Sequence, residues 1–204
     1  MGQRSQIYVR WNLANGKRML VARYYQWNYG TRMISRARGI IEWLKESGKY
    51  VGYSSSDNEE KLRRIMDVNF DYKDVVLGHD IINQWITYEH DEDFNETVFN
   101  AQDNNDGQLF IDMHINYEKN NVTFKYAFLP YCGTDVPMNG DEYMQWDMSY
   151  KEKQRWEENP YIKKEVKYTK RNIAYIEKNA ELMSDKELKN FRNYSYDNDM
   201  FAPF

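Results

Sequence analysis

Asp112 and His114 are the two residues whose types and spacing come closest to a metal-binding pair. They stand two positions apart in a segment that alternates apolar and polar residues, so both side chains point to one face of a predicted strand. A metal site needs a third ligand, and no H-x-x-x-H or C-x-x-C spacing provides one. An exposed strand face explains the pair better, and we predict neither a metal site nor a cofactor.

Other reactive residues lack the partners that their chemistry requires. Residues 103–107 invite comparison with a calcium-binding EF-hand loop. With Gly107 at loop position 6, however, the first and twelfth positions fall on Gln102 and Met113, where Asp and Glu are needed. Cys132 could act as a nucleophile only with a histidine nearby in space, and a small buried hydrophobe explains it better.

Catalytic motifs are missing as well. Residues 59–61 read Glu-Glu-Lys, similar to the E-x-K of some metal-dependent nucleases, but no upstream aspartate on a strand accompanies them. No P-loop, G-x-G-x-x-G, G-x-S-x-G or H-E-x-x-H motif is present. We therefore predict no catalytic residues and favour a protein that is not an enzyme. An enzyme using the turn 26–30 as its active-site loop stays open, although an aromatic connection between hairpin and helix explains that turn better.

The elements that position these residues follow from hydrophobic periodicity. Residues 5–13 alternate apolar and polar side chains, as in a half-buried strand. The pair Asn15-Gly16 then favours a two-residue hairpin turn, with residues 17–25 as the returning strand. This register pairs Trp11 with Leu20 and Val9 with Ala22, and predicts a core face formed by Ile7, Val9, Trp11, Leu20, Ala22 and Tyr24.

A helix is predicted over residues 31–46, with Thr31 as its N-cap and Gly48 just after its end. A shorter helix begins near Asp57. The apolar residues of the first helix follow i, i+3, i+4 spacing: Met33, Ile34, Ala37, Ile40, Ile41 and Leu44.

The second half predicts another hairpin and several helices. Residues 108–117 and 122–129 form two strands, whereas residues 74–106 show no decisive pattern. From Asp141 onward the pattern is helical, with a break at Asn159-Pro160 and further helices over 161–183 and 185–193. The tail from Asp197 is expected to be loose unless its phenylalanines pack.

These elements predict an α+β fold. We expect an antiparallel sheet built from two hairpins, with helices packed on one face and a helical C-terminal extension. The expected division is a core domain over residues 1–140 and an extension over residues 141–204; one continuous domain is the alternative.

Composition bounds the class of protein. The chain has 204 residues, 41% of them hydrophobic and 16% aromatic, which suffices for a core because each aromatic side chain can bury roughly 150–250 Å². The single cysteine cannot form an internal disulfide, and no apolar run approaches the ~20 residues of a membrane span. We expect a soluble cytoplasmic protein that does not bind membranes.

Charge is sorted along the chain. Residues 1–53 hold 10 Lys and Arg against 2 Asp and Glu, residues 54–148 hold 6 against 20, and residues 149–204 hold 12 against 10. The extreme is the stretch 74–118, with 11 acidic residues and no Lys or Arg. Such asymmetry informs about partners more than about fold.

The basic first quarter predicts one candidate surface. Arginines interleaved with aromatic residues can hold phosphates and stack bases. The alternative is that the arginines solvate one helix face and neutralise the chain's own acidic stretch, which the charge of −14 over residues 54–148 favours. The residues of this candidate nucleic-acid surface are Tyr8, Arg10, Arg23, Arg32, Arg36 and Trp43.

The acidic stretch predicts a second candidate surface. One interpretation is an ordinary solvated surface, and another is a cation site, for which the spacing is unconvincing. The third is a set of carboxylates that imitates a nucleic-acid backbone and binds a basic groove of another protein. Electrostatic steering that favours DNA binding would favour such a mimic equally. The candidate partner-binding residues are Asp80, Glu89, Asp91, Glu92, Asp93, Glu96, Asp103 and Asp106.

Two segments carry a resemblance to a group of proteins. Residues 2–9 read G-Q-R-S-Q-I-Y-V and residues 21–30 read V-A-R-Y-Y-Q-W-N-Y-G. They resemble small proteins of phages and conjugative elements of Gram-positive bacteria, which open with G-Q-R-x-Q-I-x-V and continue with a Q-W-x-Y-G turn. The resemblance covers roughly the first 45 residues and carries no catalytic residues. Those proteins often read H-Q-W-L-Y-G, whereas this chain has Tyr25 and Asn28, so a role for that histidine does not carry over.

The resemblance implies a function of a different class from catalysis. Some proteins of that group look like anti-CRISPR inhibitors of Cas9-type nucleases. Our leading hypothesis is therefore a cytoplasmic mobile-element protein that binds and inhibits a host defence nuclease through acidic nucleic-acid mimicry. The second hypothesis is a nucleic-acid-binding or RNA-processing protein that uses the basic hairpin and helix. The oligomeric state stays open.

Overall fold

A computed structural model of the chain describes residues 4–12, 18–25, 28–47, 79–80, 99, 107–116, 118–119, 121–131, 134–147, 150–152, 159–193 and 199–201. The second helix predicted near Asp57 and the reactive residue Cys132 lie outside these ranges. Within them the fold is α+β, as predicted.

The first hairpin is present, but its register differs from the prediction. Strand β1 (Ser5–Asn12) pairs antiparallel with β2 (Arg18–Tyr25), and Tyr8 lies opposite Ala22 while Arg10 lies opposite Leu20. The predicted pairing of Val9 with Ala22 is wrong by one residue. Register is fixed by the apolar pattern when only one face is buried, and here residues on both faces of β1 are buried.

The second hairpin joins the first through a parallel pair of strands. Strand β4 (Gln108–Asn116) pairs antiparallel with β5 (Asn121–Leu129) and parallel with β1, so that Arg10 lies beside Asp112. The expectation of an antiparallel sheet is therefore wrong, because the two predicted hairpins lie side by side with their first strands parallel. A parallel pair requires a long connection between its strands, and residues 13–107 supply it.

Three short strands complete a mixed sheet of seven strands in the described residues. Strand β3 (His79–Asp80) pairs antiparallel with β2, and β6 (Glu181–Leu182) pairs parallel with β5. The order is β3-β2-β1-β4-β5-β6, and β7 (Asp199–Phe201) also pairs with β2. The C-terminal segment thus adds strands at both ends of the sheet that residues 1–140 begin.

Helices in the described ranges pack around this sheet, and their ends follow sequence signals. Helix α1 (Thr31–Ser47) is present as predicted, but Thr31 is its first helical residue and not its N-cap. Helices α2 (Gly140–Met144) and α4 (Asp185–Arg192) begin with capping boxes at Asn139 and Ser184. Helix α3 (Pro160–Asn179) has Asn159 as its N-cap and a proline in its first turn, where the missing N–H costs nothing.

Both faces of the sheet are covered, so the expectation of helices on one face is wrong. On one face, Ile7, Val9 and Leu109 pack with the apolar stripe of α1 and with buried residues of α2 and α3. On the other face, Tyr8 and Phe110 pack with Leu188 and Phe191 of α4. The polar face predicted for a half-buried strand is therefore part of a second hydrophobic core. The aromatic rings of this core include the stacked pair Tyr8–Phe110.

Helices α1 and α3 lie side by side on the first face. Arg38 Nη1 donates to Asn172 Oδ1 at 3.0 Å, and Lys45 contacts Asn179 one heptad further along both helices. Because the offset between partners is constant, the two helices run in the same direction. None of the helices described in the structure is both long and apolar enough to traverse a lipid bilayer.

Candidate functional site

The parallel ends of β1 and β4 bring four polar residues together on the face covered by α4. Arg10 Nε donates to Asp112 Oδ1 at 3.0 Å, and Arg10 Nη2 donates to Asp112 Oδ2 at 2.7 Å. Asn12 Nδ2 donates to Asp112 Oδ1 at 2.7 Å, and His114 Nε2 lies 3.3 Å from Asp112 Oδ2. We call Arg10, Asn12, Asp112 and His114 the strand-end cluster.

Arg10 and Asp112 form a buried ion pair. The two residues are 3% and 6% exposed, and burying a charge is costly unless it is paired and hydrogen-bonded. Two parallel hydrogen bonds to one carboxylate give the strongest pairing available to arginine. Arg10 also places its guanidinium 4.3 Å from the ring centre of Phe191, and its Nη1 donates to the carbonyl of Asn190 at 3.4 Å.

The pKa of Asp112 reflects this environment. Burial by itself would raise it, but hydrogen bonds with His114 and Arg10 and the positive charge of Arg10 outweigh burial and lower the pKa to about 2. The carboxylate is therefore ionised throughout the physiological pH range. His114 stands at the rim of the cluster with 47% of its side chain exposed.

The strand-end cluster is suited to holding the fold together rather than to binding a ligand. Both oxygens of Asp112 already accept hydrogen bonds from within the protein. Within the described part of the chain, no third His, Cys, Asp or Glu joins Asp112 and His114 in a group that could hold a metal ion. The cluster instead ties β1, β4 and the C-terminal end of α4 to one another.

Sequence reasoning placed Arg10 and Asp112 on polar faces but did not pair them. The two residues are 102 positions apart, and periodicity does not say which strands are neighbours. A signal existed in the shared pattern of the strands, since each carries a polar residue flanked by apolar ones at the same depth of the parallel register.

The candidate nucleic-acid residues of the first quarter are largely inside the protein. Tyr8 is fully buried against Phe99 and Phe110, and Arg10, Arg23 and Arg36 are buried too. Only Arg32 and Trp43 are half-buried. A ligand cannot reach four of these six residues in this arrangement.

Arg36 serves a buried polar network at the hairpin–helix junction. Its Nε donates to Asn28 Oδ1 at 3.0 Å, and its guanidinium lies 4.4 Å from the ring centre of Tyr25. Asn28 is fully buried, and its Nδ2 donates to Ser5 Oγ at 3.0 Å. The network joins β1, β2 and α1, so Arg36 has a structural role inside the fold and does not solvate a helix face, as the alternative to nucleic-acid binding had supposed.

The turn that precedes α1 packs against Tyr143 of α2. Tyr29 lies edge-on to Tyr143, with ring centres 5.4 Å apart, and the Gly30 N–H donates to the Tyr143 hydroxyl at 2.9 Å. Gly30 has a φ of 64°, and a Cβ there would lie 2.1 Å from Asp147 Oδ2, so only glycine fits. These contacts favour the packing interpretation of residues 28–30 over an active-site loop.

Most of the candidate acidic residues lie outside the described ranges. Glu89, Asp91, Glu92, Asp93, Glu96, Asp103 and Asp106 are among the residues that the structure does not describe. Asp80 lies in β3 at the edge of the sheet, where the backbone register places it opposite Arg23. Asp80 and Asp112 thus place two residues of the acidic stretch in the sheet, in β3 and β4.

No protein-family model matches the chain, and neither a curated protein nor a solved structure matches it. The resemblance of residues 2–9 and 21–30 to proteins of mobile elements remains a prediction.

Proposed function

We propose that the chain is a binding protein of a mobile element that inhibits a host defence nuclease, of the RNA-guided Cas9 type, by presenting acidic residues in place of nucleic acid. The observation that carries this proposal is that most arginines of the candidate nucleic-acid surface are buried. Arg10, Arg23 and Arg36 are buried within the fold, and Arg10 is paired with one carboxylate of the acidic stretch, Asp112, so these arginines do not form a basic surface for nucleic acid.

The charge of the acidic stretch supports the proposal further. Residues 74–118 hold 11 carboxylates and no Lys or Arg, and one of them, Asp112, is buried against Arg10. Carboxylates that follow one another in the sequence without an intervening cation carry repeated negative charge, as a phosphate backbone does. Such a surface raises association rates with a basic groove and suppresses wrong partners.

The proposal predicts inhibition that depends strongly on salt and on three adjacent carboxylates. Reversing Asp91, Glu92 and Asp93 to lysine removes six charge units from the mimic and is expected to abolish inhibition. The measurement is target cleavage by a reconstituted RNA-guided nuclease of a Gram-positive host, with native protein and variant titrated at low and at physiological salt.

A matched control separates a specific surface from net charge. Glu46, Glu152 and Glu181 are exposed elsewhere in the chain, and reversing them to lysine changes the total charge by the same amount. The control variant is expected to inhibit as the native protein does. Retained inhibition by the Asp91/Glu92/Asp93 variant would rule out the mimicry. Equal loss of inhibition in both variants would show that inhibition depends on net charge and not on this surface.

A further inference from the structure

Helix α3 presents a strongly basic face to solvent. Six cations lie on its exposed residues, and two acidic residues, Glu165 and Glu177, are the only carboxylates in the helix. Five of the cations recur at i, i+4, i+7, i+8 and i+15, the spacing of one helix face. We call this set the basic face of α3: Lys163, Lys164, Lys167, Lys170, Arg171 and Lys178.

Among the described residues, the cations of this face form no ion pairs. The ion pairs among the described residues join other groups, such as Arg10 with Asp112, Arg38 with Glu42 and Lys125 with Glu187. The buried side of α3 packs against α1 and the sheet through Val166, Ile173 and Ile176, and it also contains Thr169 and Asn172. The cations therefore point outward from a helix that is firmly held.

Aromatic and apolar groups adjoin the cations. Tyr161, in the first turn of α3, is 84% exposed, and Tyr168 is 40% exposed. A hollow of about 480 Å³ runs along the helix and is lined by three apolar residues and four cations: Ile162, Val166, Ala174, Lys163, Lys167, Lys170 and Arg171. Phosphates can bind the cations while a base contacts the apolar lining residues or stacks on tyrosine.

We propose that the basic face of α3, with Tyr161 and the adjoining hollow, binds single-stranded nucleic acid. Such sites combine cations that follow the backbone with aromatic rings on which bases stack. The cations from Lys163 to Lys178 span about 22 Å, the length of about six stacked nucleotides. This site uses none of the residues of the acidic stretch, so it stands apart from the proposed inhibition.

Two other occupants fit the face less well. An acidic membrane binds helices whose apolar face is free to enter the lipid, whereas the apolar side of α3 is already packed in the core. A second copy of this chain offers acidic residues, but its carboxylates would leave the exposed tyrosine and the apolar hollow unused.

The test is direct binding to short labelled oligonucleotides, measured by fluorescence anisotropy over a range of salt. The probes are oligothymidylate, oligouridylate and a duplex of equal length. The variant K163Q/K167Q/K170Q is expected to bind at least tenfold more weakly at low salt, with a salt slope smaller by about 2. The control variant K119Q/K186Q/K189Q removes three exposed lysines elsewhere and is expected to bind as the native protein does.

The stacking step has its own pair of variants. Tyr161→Ala is expected to weaken single-strand binding about 5- to 100-fold, whereas Tyr161→Phe keeps the ring and the affinity. Because these side chains are exposed, thermal melts of all variants should coincide with that of the native protein.

Three results would overturn the proposal. The first is native-like single-strand binding by K163Q/K167Q/K170Q. The second is binding to phosphatidylserine vesicles without binding to either single-stranded probe. The third is self-association at low salt that the triple variant abolishes, again without oligonucleotide binding. Equal affinity for the duplex together with no effect of Tyr161→Ala would overturn the preference for single strands.

Discussion

The chain has two basic regions that composition alone does not distinguish. Arg10, Arg23 and Arg36, the inner arginines, come from the first quarter and are buried. The basic face of α3 comes from the last quarter and is exposed. The first region has the higher net charge in the sequence, yet the second has the more accessible charge in the fold.

The difference follows from residue type and from neighbours. The inner cations are all arginines, whose planar guanidinium can bond a carboxylate at two points and lie over an aromatic ring. Arg10 does both, with Asp112 and Phe191, and Arg36 lies over Tyr25. The face of α3 consists of five lysines and one arginine, and lysine is almost never fully buried unless it is paired. Aromatic residues near arginines in a sequence can therefore indicate an interior packing site as well as a nucleic-acid surface.

The largest expected effect comes from breaking the inner ion pair on one side. Asp112→Ala leaves Arg10 charged and buried without its carboxylate, and is expected to lower the free energy of unfolding by about 3–5 kcal/mol. Lys167→Ala, on the basic face of α3, is expected to change it by no more than about 0.5 kcal/mol. Urea unfolding followed by circular dichroism measures both.

A double variant distinguishes the cost of an unpaired buried charge from the contribution of the ion pair itself. R10M/D112L replaces both charges by apolar groups of similar size, and such replacements are often close to neutral. Most of the loss caused by Asp112→Ala should therefore be recovered. A loss below about 1 kcal/mol in Asp112→Ala, as in an exposed pair, would contradict the distinction between inner and outer cations.

The parts of the fold that the sequence predicted are those governed by local pattern. Helix α1 was predicted because its apolar residues recur with helical spacing, and all six are buried. Both hairpins were predicted because each pairs strands that are close in sequence. The parallel contact of β1 with β4 was not predicted, since it joins residues about 100 positions apart and periodicity does not say which strands are neighbours.

The burial of the inner arginines was hidden for a related reason. Tyr8 and Arg10 alternate with Ile7 and Val9, which fits a strand with one solvated face. Phe191 and Leu188 cover that face from the far end of the chain, and only the tertiary structure reveals them. The basic face of α3 was within reach, because Lys163, Lys167, Lys170, Arg171 and Lys178 share helical spacing in the sequence itself.

An effect of intermediate size is expected when acid lowers the free energy of unfolding by protonating Asp112 of the inner ion pair. The pKa of Asp112 is about 2 in the folded protein, below its ordinary value of 3.8, so the ionised form stabilises the fold. That contribution is fully present above the ordinary value and is lost as the pH falls through the folded pKa. Between pH 5 and pH 2 the loss from this group is expected to be about 2 kcal/mol.

The measurement is urea unfolding at several pH values in that window, for the native protein and for R10M/D112L. The double variant lacks the carboxylate, so its stability should fall less over the same range, and the difference between the two curves isolates Asp112. Parallel curves would show that the carboxylate is not held ionised by its neighbours in the fold.

The smallest expected effect compares the same substitution in the two regions. Arg36→Lys removes the Nε donor that Asn28 Oδ1 accepts at 3.0 Å and the planar contact with Tyr25, and a buried acceptor left without its donor costs about 1–3 kcal/mol. We expect a loss of about 1–2 kcal/mol, because the lysine ammonium can recover part of the bond. Arg171→Lys keeps the charge on an exposed face and is expected to change stability by less than about 0.5 kcal/mol. Equal changes, measured by urea unfolding, would mean that guanidinium geometry matters no more inside than outside, and the contrast between the regions would then rest on burial alone.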